Sequence, residues 1–181
     1  LGRAPETPPD ADRLLVRKFL HCHGPSTPAL LAEWLGCSPA QARRLWNSVA
    51  QELEPVSVEG KARWLLSADR DALAHPCGPQ ERLLLLGPHD PYLDTRDRDV
   101  LLPDKALQKL VWRTVGNPGA VVLDGRISGV WTARTVRDRL ELSVTAWQAF
   151  SARQQSMLEI RAQEYAAFRG LSLLKYTLED G

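Results

Sequence analysis

Hydrophobic positions recur with two different periods along the chain, and the change of period marks the predicted elements. Between residues 24 and 66, apolar residues first recur every three or four positions and then, after Leu53, every second position. The first spacing is typical of amphipathic helices and the second of half-buried strands. Two short helices and a β-hairpin are therefore predicted in that order, with the hairpin turn at Glu59-Gly60.

Local signals indicate where both helices begin and end. Thr27 is a candidate N-cap, Pro28 occupies the first helical position, and Gly36 is the expected stop. Ser38 opens the second helix, and Gln41 follows at the spacing of a capping box.

A further helix precedes this pair, and Asp10 or Asp12 is its expected cap. Three helices followed by a hairpin form a winged helix, whose last helix usually enters the DNA major groove. The predicted fold class is α+β, with a winged-helix domain at 10–75 after a Pro-rich linker at 1–9. Because the chain starts at Leu1 rather than Met, we expect a fragment or a processed chain.

The helix after Ser38 has an apolar stripe and a polar side when drawn at about 100° per residue. The stripe contains Ala42, Leu45, Trp46, Val49 and Leu53, which we expect to be core residues. On the polar side, arginines suit phosphates or guanine edges, and amides suit adenine edges. The candidate contacts are Arg43, Arg44, Asn47, Ser48 and Gln51, with Lys61 and Arg63 on the hairpin. The alternative is an ordinary solvated helix face.

The second half, 80–181, is predicted to be a separate α+β domain after the Pro- and Gly-containing break at 75–79. Its predicted elements are a strand at 82–86, an irregular loop at 87–92, helices at 95–99 and 104–112, strands at 120–123, 127–133 and 139–145, a long helix ending at Gly170, and a strand at 171–178. Asp124-Gly125 favours a tight hairpin turn, and Ser151 with Gln154 forms a capping box for the long helix. We expect an antiparallel, barrel-like sheet.

Two groups in this half are candidates for chemistry. His89 and Asp90 lie in the irregular loop, where they could contact DNA or support catalysis. The favoured alternative is a structural turn in which Asp90 accepts a hydrogen bond from its own backbone. A second basic set consists of Arg96, Arg98, Arg134, Arg137 and Arg139, of which the last three surround a hairpin end. It could contact phosphates, or it could be a solvated turn with Asp138 as partner.

Charge and composition narrow the classes of function. With 181 residues, 44% hydrophobic and 25% charged, the chain is long enough for one large or two small domains with real cores. The formal net charge is +1, and residues 1–75 hold nine Lys or Arg and nine Asp or Glu. A nucleic-acid surface would therefore need local segregation of charge, because no global positive field exists.

Three cysteines, Cys22, Cys37 and Cys77, form no Cys-x-x-Cys pair and indicate reduced thiols in a cytoplasmic, nucleoid-associated protein. His21 and His23 lie two positions apart on a helix and do not share a face, so no metal site is predicted. No cofactor is predicted either, since the sequence has no Gly-rich phosphate loop. There is no signal peptide and no apolar run near twenty residues, so we expect no membrane partner.

Three segments resemble a known family: RRLW at 43–46, LLLLGPHDPYLDTRDRDVLLP at 83–103 and VVLDGRISGVW at 121–131. They are similar to the winged-helix DNA-binding family that includes crosslink-unhooking alkylpurine DNA glycosylases, the AlkZ-like family. The matching residues are Asp90, Pro91, Asp124, Gly125, Gly129 and Trp131. The resemblance extends from about Asp12 to Gly170.

The resemblance implies tandem winged helices followed by a β-barrel in a protein roughly twice this length. This chain would be the C-terminal half, with an N-terminal winged-helix half of the same protein and duplex DNA as its partners. The family's catalytic pair, Gln-x-Gln or Gln-x-Asp, lies in the N-terminal half, and neither pattern occurs here. The catalytic residues are therefore unknown, and we expect a DNA-binding portion that is inactive alone.

The sequence is also compatible with two other classes of function. One is a winged-helix transcriptional regulator with a C-terminal sensor or interaction domain, and the other is a scaffold whose winged helix binds protein. A regulator usually requires a dimer to contact two half-sites, and no long apolar heptad seam is present.

Overall fold

The computed structural model describes residues 8–75, 82–94 and 97–181. It divides into two compact units, Leu1–Cys77 and Gly78–Gly181. The first contains helices and a two-stranded hairpin, and the second contains a five-stranded sheet with a long helix. The predicted mixed α+β class is thus confirmed. Most of the predicted linker, and most of the predicted break at 75–79, lie outside the described residues.

The first unit begins with three helices and continues into a hairpin. Its elements are α1 (Ala11–His23), α2 (Pro28–Leu35), α3 (Pro39–Asn47), β1 (Leu53–Val58), β2 (Lys61–Leu66) and α4 (Arg70–Ala74). Thr27 Oγ1 accepts a hydrogen bond from the Leu30 amide, and Ser38 Oγ accepts one from the Gln41 amide. Gly36 ends α2 with φ at 63°, a conformation that side chains disfavour. The hydroxyl caps and the glycine stop are therefore where the sequence predicted them.

Helix α3 is shorter than its apolar stripe. The stripe continues to Leu53, but the helix ends at Asn47, and a 3₁₀ turn at Ala50–Glu52 precedes β1. The Ser48 hydroxyl donates to the Leu45 carbonyl at 2.6 Å. Serine side chains that bond nearby carbonyls in this way compete with helix continuation. Residues after Ser48 therefore do not lie on the surface of α3.

The core of the first unit joins the apolar faces of α1, α2 and α3. Trp46 is only 6% exposed and meets Trp64 edge-on, with ring centroids 6.4 Å apart. The prediction that Trp46 is a core residue is confirmed. Its buried neighbours include Val16, Phe19, Leu20, Leu31, Ala42, Leu45, Val49 and Leu66.

A carboxylate fastens α1 to the 3₁₀ turn after α3. The two oxygens of Glu52 accept hydrogen bonds from Arg17 Nε and Nη2 at 2.7 and 2.9 Å. Arg13 Nη2 donates to the same carboxylate at 2.9 Å. Bidentate arginine pairs of this kind are stronger than single contacts. The hydrogen bonds from Arg17 and then Arg13 lower the pKa of Glu52 to about 2.

The second unit is a sheet in the strand order β3-β4-β5-β6-β7. Its elements are β3 (Leu83–Leu86), α5 (Arg98–Leu101), α6 (Lys105–Val111), β4 (Gly119–Leu123), β5 (Arg126–Val136), β6 (Arg139–Ala146), α7 (Ala152–Phe168) and β7 (Ser172–Asp180). The capping box of α7 is confirmed, because Ser151 Oγ accepts from the Gln154 amide and Gln154 Oε1 accepts from the Ser151 amide.

The sheet is mixed, and the prediction of an antiparallel sheet is wrong at β7. Strands β3 to β6 pair antiparallel, whereas β7 runs parallel to β6, with Leu173 opposite Leu140. Helix α7 forms the connection between these two strands, and a helical crossover returns the chain in the parallel direction. Within the described ranges no pairing joins β3 to β7, so the sheet is not closed into a barrel.

Apolar side chains cover both faces of β4, which is why its sequence is continuously hydrophobic. On one face, Leu158 and Ala162 of α7 pack with Val121. On the other, Leu93 and Val111 pack with the neighbouring positions of the strand. The segment between β3 and β4 and the helix after β6 thus form two layers around the sheet.

We expect Glu52→Gln to lower the free energy of unfolding at pH 7, because a neutral amide cannot replace the charged partner of Arg17 and Arg13. The folded pKa of Glu52 is about 2, below the ordinary value of 4.5. The ionised carboxylate therefore stabilises the fold above pH 4.5, and this contribution is lost as the pH falls towards 2.

Urea unfolding of both proteins between pH 7 and pH 3 should show a stability difference that shrinks as the pH falls. Glu59→Gln, at the exposed β1–β2 turn, is the matched control and should show little difference at any pH. A Glu52→Gln difference that stays constant over this range would contradict the account.

Candidate nucleic-acid interface

Helix α3 exposes Arg43, Arg44 and Asn47 on the side opposite its buried stripe. Arg43 lies at a groove of about 620 Å³ between α2 and α3, which is lined mainly by small and apolar residues such as Pro28 and Pro39 and also by the acidic Glu33. This surface combines two guanidinium groups and an amide on one helix. Guanidinium groups can donate to phosphates or guanine edges, and an amide can bond an adenine edge.

Arg44 is attached to α1 by an ion pair that the sequence did not indicate. Its Nη1 donates to Asp12 Oδ2 at 2.8 Å. The two residues are 32 positions apart, so no spacing rule for helices relates them. Arg43 makes no ion pair within the part of the chain that the structure describes. The local net charge therefore differs between the two neighbouring arginines, because a carboxylate is bonded to Arg44 and none of the described ones is bonded to Arg43.

The other predicted contacts of the first unit do not join the surface of α3. The Ser48 hydroxyl is engaged with the Leu45 carbonyl. Gln51 is exposed but lies in the 3₁₀ turn beyond the helix. Lys61 is exposed at the start of β2, beside the hairpin turn.

Arg63 is only 5% exposed, so its side chain does not belong to the exposed surface that the prediction requires. Alternation along β2 predicted that Ala62, Trp64 and Leu66 face inwards. In the structure Leu66 is buried in the helical core and Trp64 packs against it, as predicted, whereas Ala62 is exposed. Arg63 and Leu65, on the other face of the strand, are buried as well. A side chain enclosed by protein to this degree cannot reach a phosphate outside it.

The arginines of the second unit surround the β5–β6 turn. Arg137 has φ at 58° in this turn, and Arg139 pairs with Val136 across it. Arg134 Nε donates to Glu141 Oε2 at 2.6 Å on the neighbouring strand, not to Asp138. Arg137 and Arg139 are exposed and, among the described residues, without an ion pair.

The last third of β5 is also exposed, from residue 132 to residue 135. This part of the strand extends past the pairing with β4, which ends opposite Trp131. The β5–β6 turn is therefore an uncovered, basic end of the sheet. It forms a second surface on which a phosphate could bind.

The loop at 87–92 is a tightly bonded turn. Asp90 Oδ1 accepts from the Tyr92 amide at 2.9 Å, as the structural interpretation of this residue requires. Tyr92 Oη donates to the Gly125 carbonyl at 2.7 Å in the β4–β5 turn. Burial raises the pKa of the Tyr92 hydroxyl. His89 is exposed in the loop and is the side chain that remains available to a ligand.

The residues of the Asp-Gly-x-x-x-Gly-x-Trp motif support this loop and the strand before it. Trp131 Nε1 donates to the Leu86 carbonyl at 2.9 Å. Asp124 Oδ1 accepts from the Arg82 amide at 2.8 Å. These bonds attach both ends of β3 to the β4–β5 hairpin. Folding therefore accounts for the motif without a catalytic role.

No three His, Cys, Asp or Glu side chains of the described residues are grouped so that they could hold a metal ion. Cys22 and Cys37 are free thiols, and Cys77 lies outside the described residues. None of the described helices combines the length and apolar character that a membrane crossing requires.

Comparison with known proteins decides the family. The model of the DNA glycosylase AlkZ-like family matches residues 1–168. The chain belongs to this family. The predicted resemblance is thus confirmed over nearly the whole AlkZ-like chain, and the motifs at 83–103 and 121–131 lie inside the matched region.

Two relatives from Streptomyces sahachiroi show the extent of the similarity. An interstrand DNA cross-link repair glycosylase is 31% identical over 180 residues, which cover 96% of this chain and 46% of the relative. The solved structure of the DNA glycosylase AlkZ matches with a TM-score of 0.73 and 28% identity, over 98% of this chain and 47% of that one. This AlkZ-like chain therefore spans just under half the length of both relatives.

Gly119→Ala should destabilise the second unit. An added Cβ would collide with the indole nitrogen of Trp131 and lie 2.6 Å from the Leu86 carbonyl. These two groups form the hydrogen bond that attaches β3 to β5. Overpacking of this kind costs about 1–3 kcal/mol.

Gly87→Ala is the matched control, because an added Cβ there would have no atom within 4 Å. Thermal unfolding of the two variants should show a clearly lower midpoint for Gly119→Ala alone. Equal midpoints would mean that the Trp131 bond does not constrain this AlkZ-like sheet.

Proposed function

We propose that this chain is a duplex-DNA-binding portion of an AlkZ-like DNA glycosylase, and that its first unit is a winged helix with α3 facing the DNA groove. The observation that carries the proposal is the division of α3 into two sides. Ala42, Leu45 and Trp46 are buried, while Arg43, Arg44 and Asn47 are exposed. Three helices followed by a hairpin is the element order of a winged helix.

The β5–β6 turn supplies a second set of contacts in this proposal. Arg137 and Arg139 are exposed at its end, and long cationic side chains at such a site bind phosphates independently of sequence. Because the chain has a formal charge of only +1, binding depends on such local groups. We therefore propose weak, sequence-tolerant affinity for duplex DNA.

In this proposal, the substrate class of the whole protein is inferred from the proteins that the chain resembles. One relative is an interstrand DNA cross-link repair glycosylase, and we propose interstrand-cross-linked DNA as the substrate class of the whole protein. The present chain would hold the duplex during that reaction. The family match gives no support to the alternative of a transcriptional regulator.

Base excision requires groups that this chain does not supply. A glycosylase must position a polar group that activates water while the sugar develops positive charge. The sequence has no Gln-x-Gln or Gln-x-Asp, the pair that the family resemblance implies for catalysis. Affinity for DNA alone does not meet this requirement.

Binding to an undamaged duplex should fall steeply with salt, because each neutralised phosphate releases counterions. Arg43→Gln and Arg137→Gln should each weaken binding and reduce the slope against log salt by about 1. Lys109→Gln, an exposed cation on α6, is the matched control and should change neither quantity. Fluorescence anisotropy measured from low to moderate salt gives both the affinity and its slope against log salt. Affinity that does not change with salt would refute the proposal.

The chain alone should not release an N7-alkylated guanine from duplex DNA above the spontaneous rate. The assay is a single-turnover measurement with protein in excess, and His89→Ala is the informative variant because His89 is exposed in its loop. Release that exceeds the spontaneous rate and disappears in His89→Ala would show that the 87–92 loop is catalytic.

A further inference from the structure

We propose that Asp12 is a positioning residue that holds Arg44 and lowers the affinity of the α3 surface for DNA phosphates. The inference rests on the proposed function, because it concerns the strength of the same contact. Asp12 lies in the first turn of α1, and Arg44 lies in the last turn of α3. The pair therefore connects the proposed DNA-facing helix to a neighbouring element.

The pair is too exposed to contribute much to folding. The side chains of Arg44 and Asp12 are 64% and 51% exposed, and one hydrogen bond of 2.8 Å joins them. Exposed ion pairs of this type add little to stability. The clamp at Glu52 differs, because two arginines hold that carboxylate and its side chain is only 29% exposed. The Asp12–Arg44 pair instead changes the charge that α3 presents to solvent.

A phosphate that approaches Arg44 meets the Asp12 carboxylate as well. Only Nη1 of Arg44 is bonded to Asp12, and a guanidinium has further N–H donors that can reach a phosphate. That phosphate would then lie well within the Debye length of about 8 Å from the carboxylate, where like charges repel. Asp12 thus directs the guanidinium and offsets its charge at the same time.

Arg43 provides an internal comparison on the same helix. It is exposed, and no ion pair holds it among the described residues. Glu33 lines the same groove as Arg43, but no described carboxylate forms an ion pair with the Arg43 guanidinium, whereas the Arg44 guanidinium is paired with Asp12. Removing the charge of Asp12 should therefore strengthen binding through Arg44 in particular.

The test compares Asp12→Asn with the unchanged chain on a short undamaged duplex at low salt. We expect affinity to rise about three- to tenfold, the range that one like charge near a surface produces, and the gain to shrink as salt increases. In the Arg44→Gln background the same substitution should give a much smaller gain. Asp12→Glu retains the charge and should bind like the unchanged chain.

Glu164→Gln is the matched control, since it removes an equal charge from an exposed ion pair with Arg161 on α7, in the other unit. It should leave the affinity unchanged. Circular dichroism and thermal unfolding verify that every variant folds.

The outcomes separate this inference from the proposed function. If no variant binds duplex DNA at low salt, both are overturned. If the unchanged chain binds and Asp12→Asn binds with the same affinity, only the role of Asp12 is overturned. A gain of equal size in the Arg44→Gln background would show a general charge effect and would also overturn the positioning role.

Discussion

The burial of one side of α3 is the constraint on which the candidate interface depends. Leu45 and Trp46 must pack against α1, α2 and the hairpin, and Trp46 meets Trp64 edge-on. Because a helix has 3.6 residues per turn, fixing these positions also fixes which residues point away from the core. Arg43 and Asn47 are exposed for that reason. The same core that folds the first unit therefore determines which side chains can meet a ligand.

In the second unit, hydrogen bonds between distant segments hold the family motifs. Trp131 bonds to Leu86, Asp124 to Arg82, and Tyr92 to Gly125. Each bond joins β3, the residue just before it or the loop after it to the β4–β5 hairpin. A motif that stands out in the sequence thus has a folding role in the structure. The candidate contacts lie elsewhere, at α3 and at the β5–β6 turn.

Features set by neighbouring residues could be predicted from the sequence. Three predicted helix ends are confirmed, because each depends on hydrogen bonds within one turn. They are the N-cap at Thr27, the C-terminal glycine at Gly36 and the capping box at Ser151. The end of α3 was missed because Ser48 bonds to the Leu45 carbonyl, which interrupts a periodic pattern that continues beyond it.

Features set by distant residues could not be predicted from local patterns. The parallel direction of β7 depends on where α7 packs on the sheet. Arg63 is buried although its neighbours Trp64 and Leu66 already face the helical core, and alternation along the strand does not indicate burial on both faces. The Asp12–Arg44 pair joins two helices that no local rule relates.

The central claim is that α3 and the β5–β6 turn, and not the loop at 87–92, contact DNA. Backbone amide NMR shifts measured while the whole chain is titrated with a short duplex test this claim directly. The account predicts that shifts concentrate at residues 39–47 and 134–139, while the amides of 87–92 stay unchanged. Shifts concentrated at 87–92, with α3 unaffected, would contradict it.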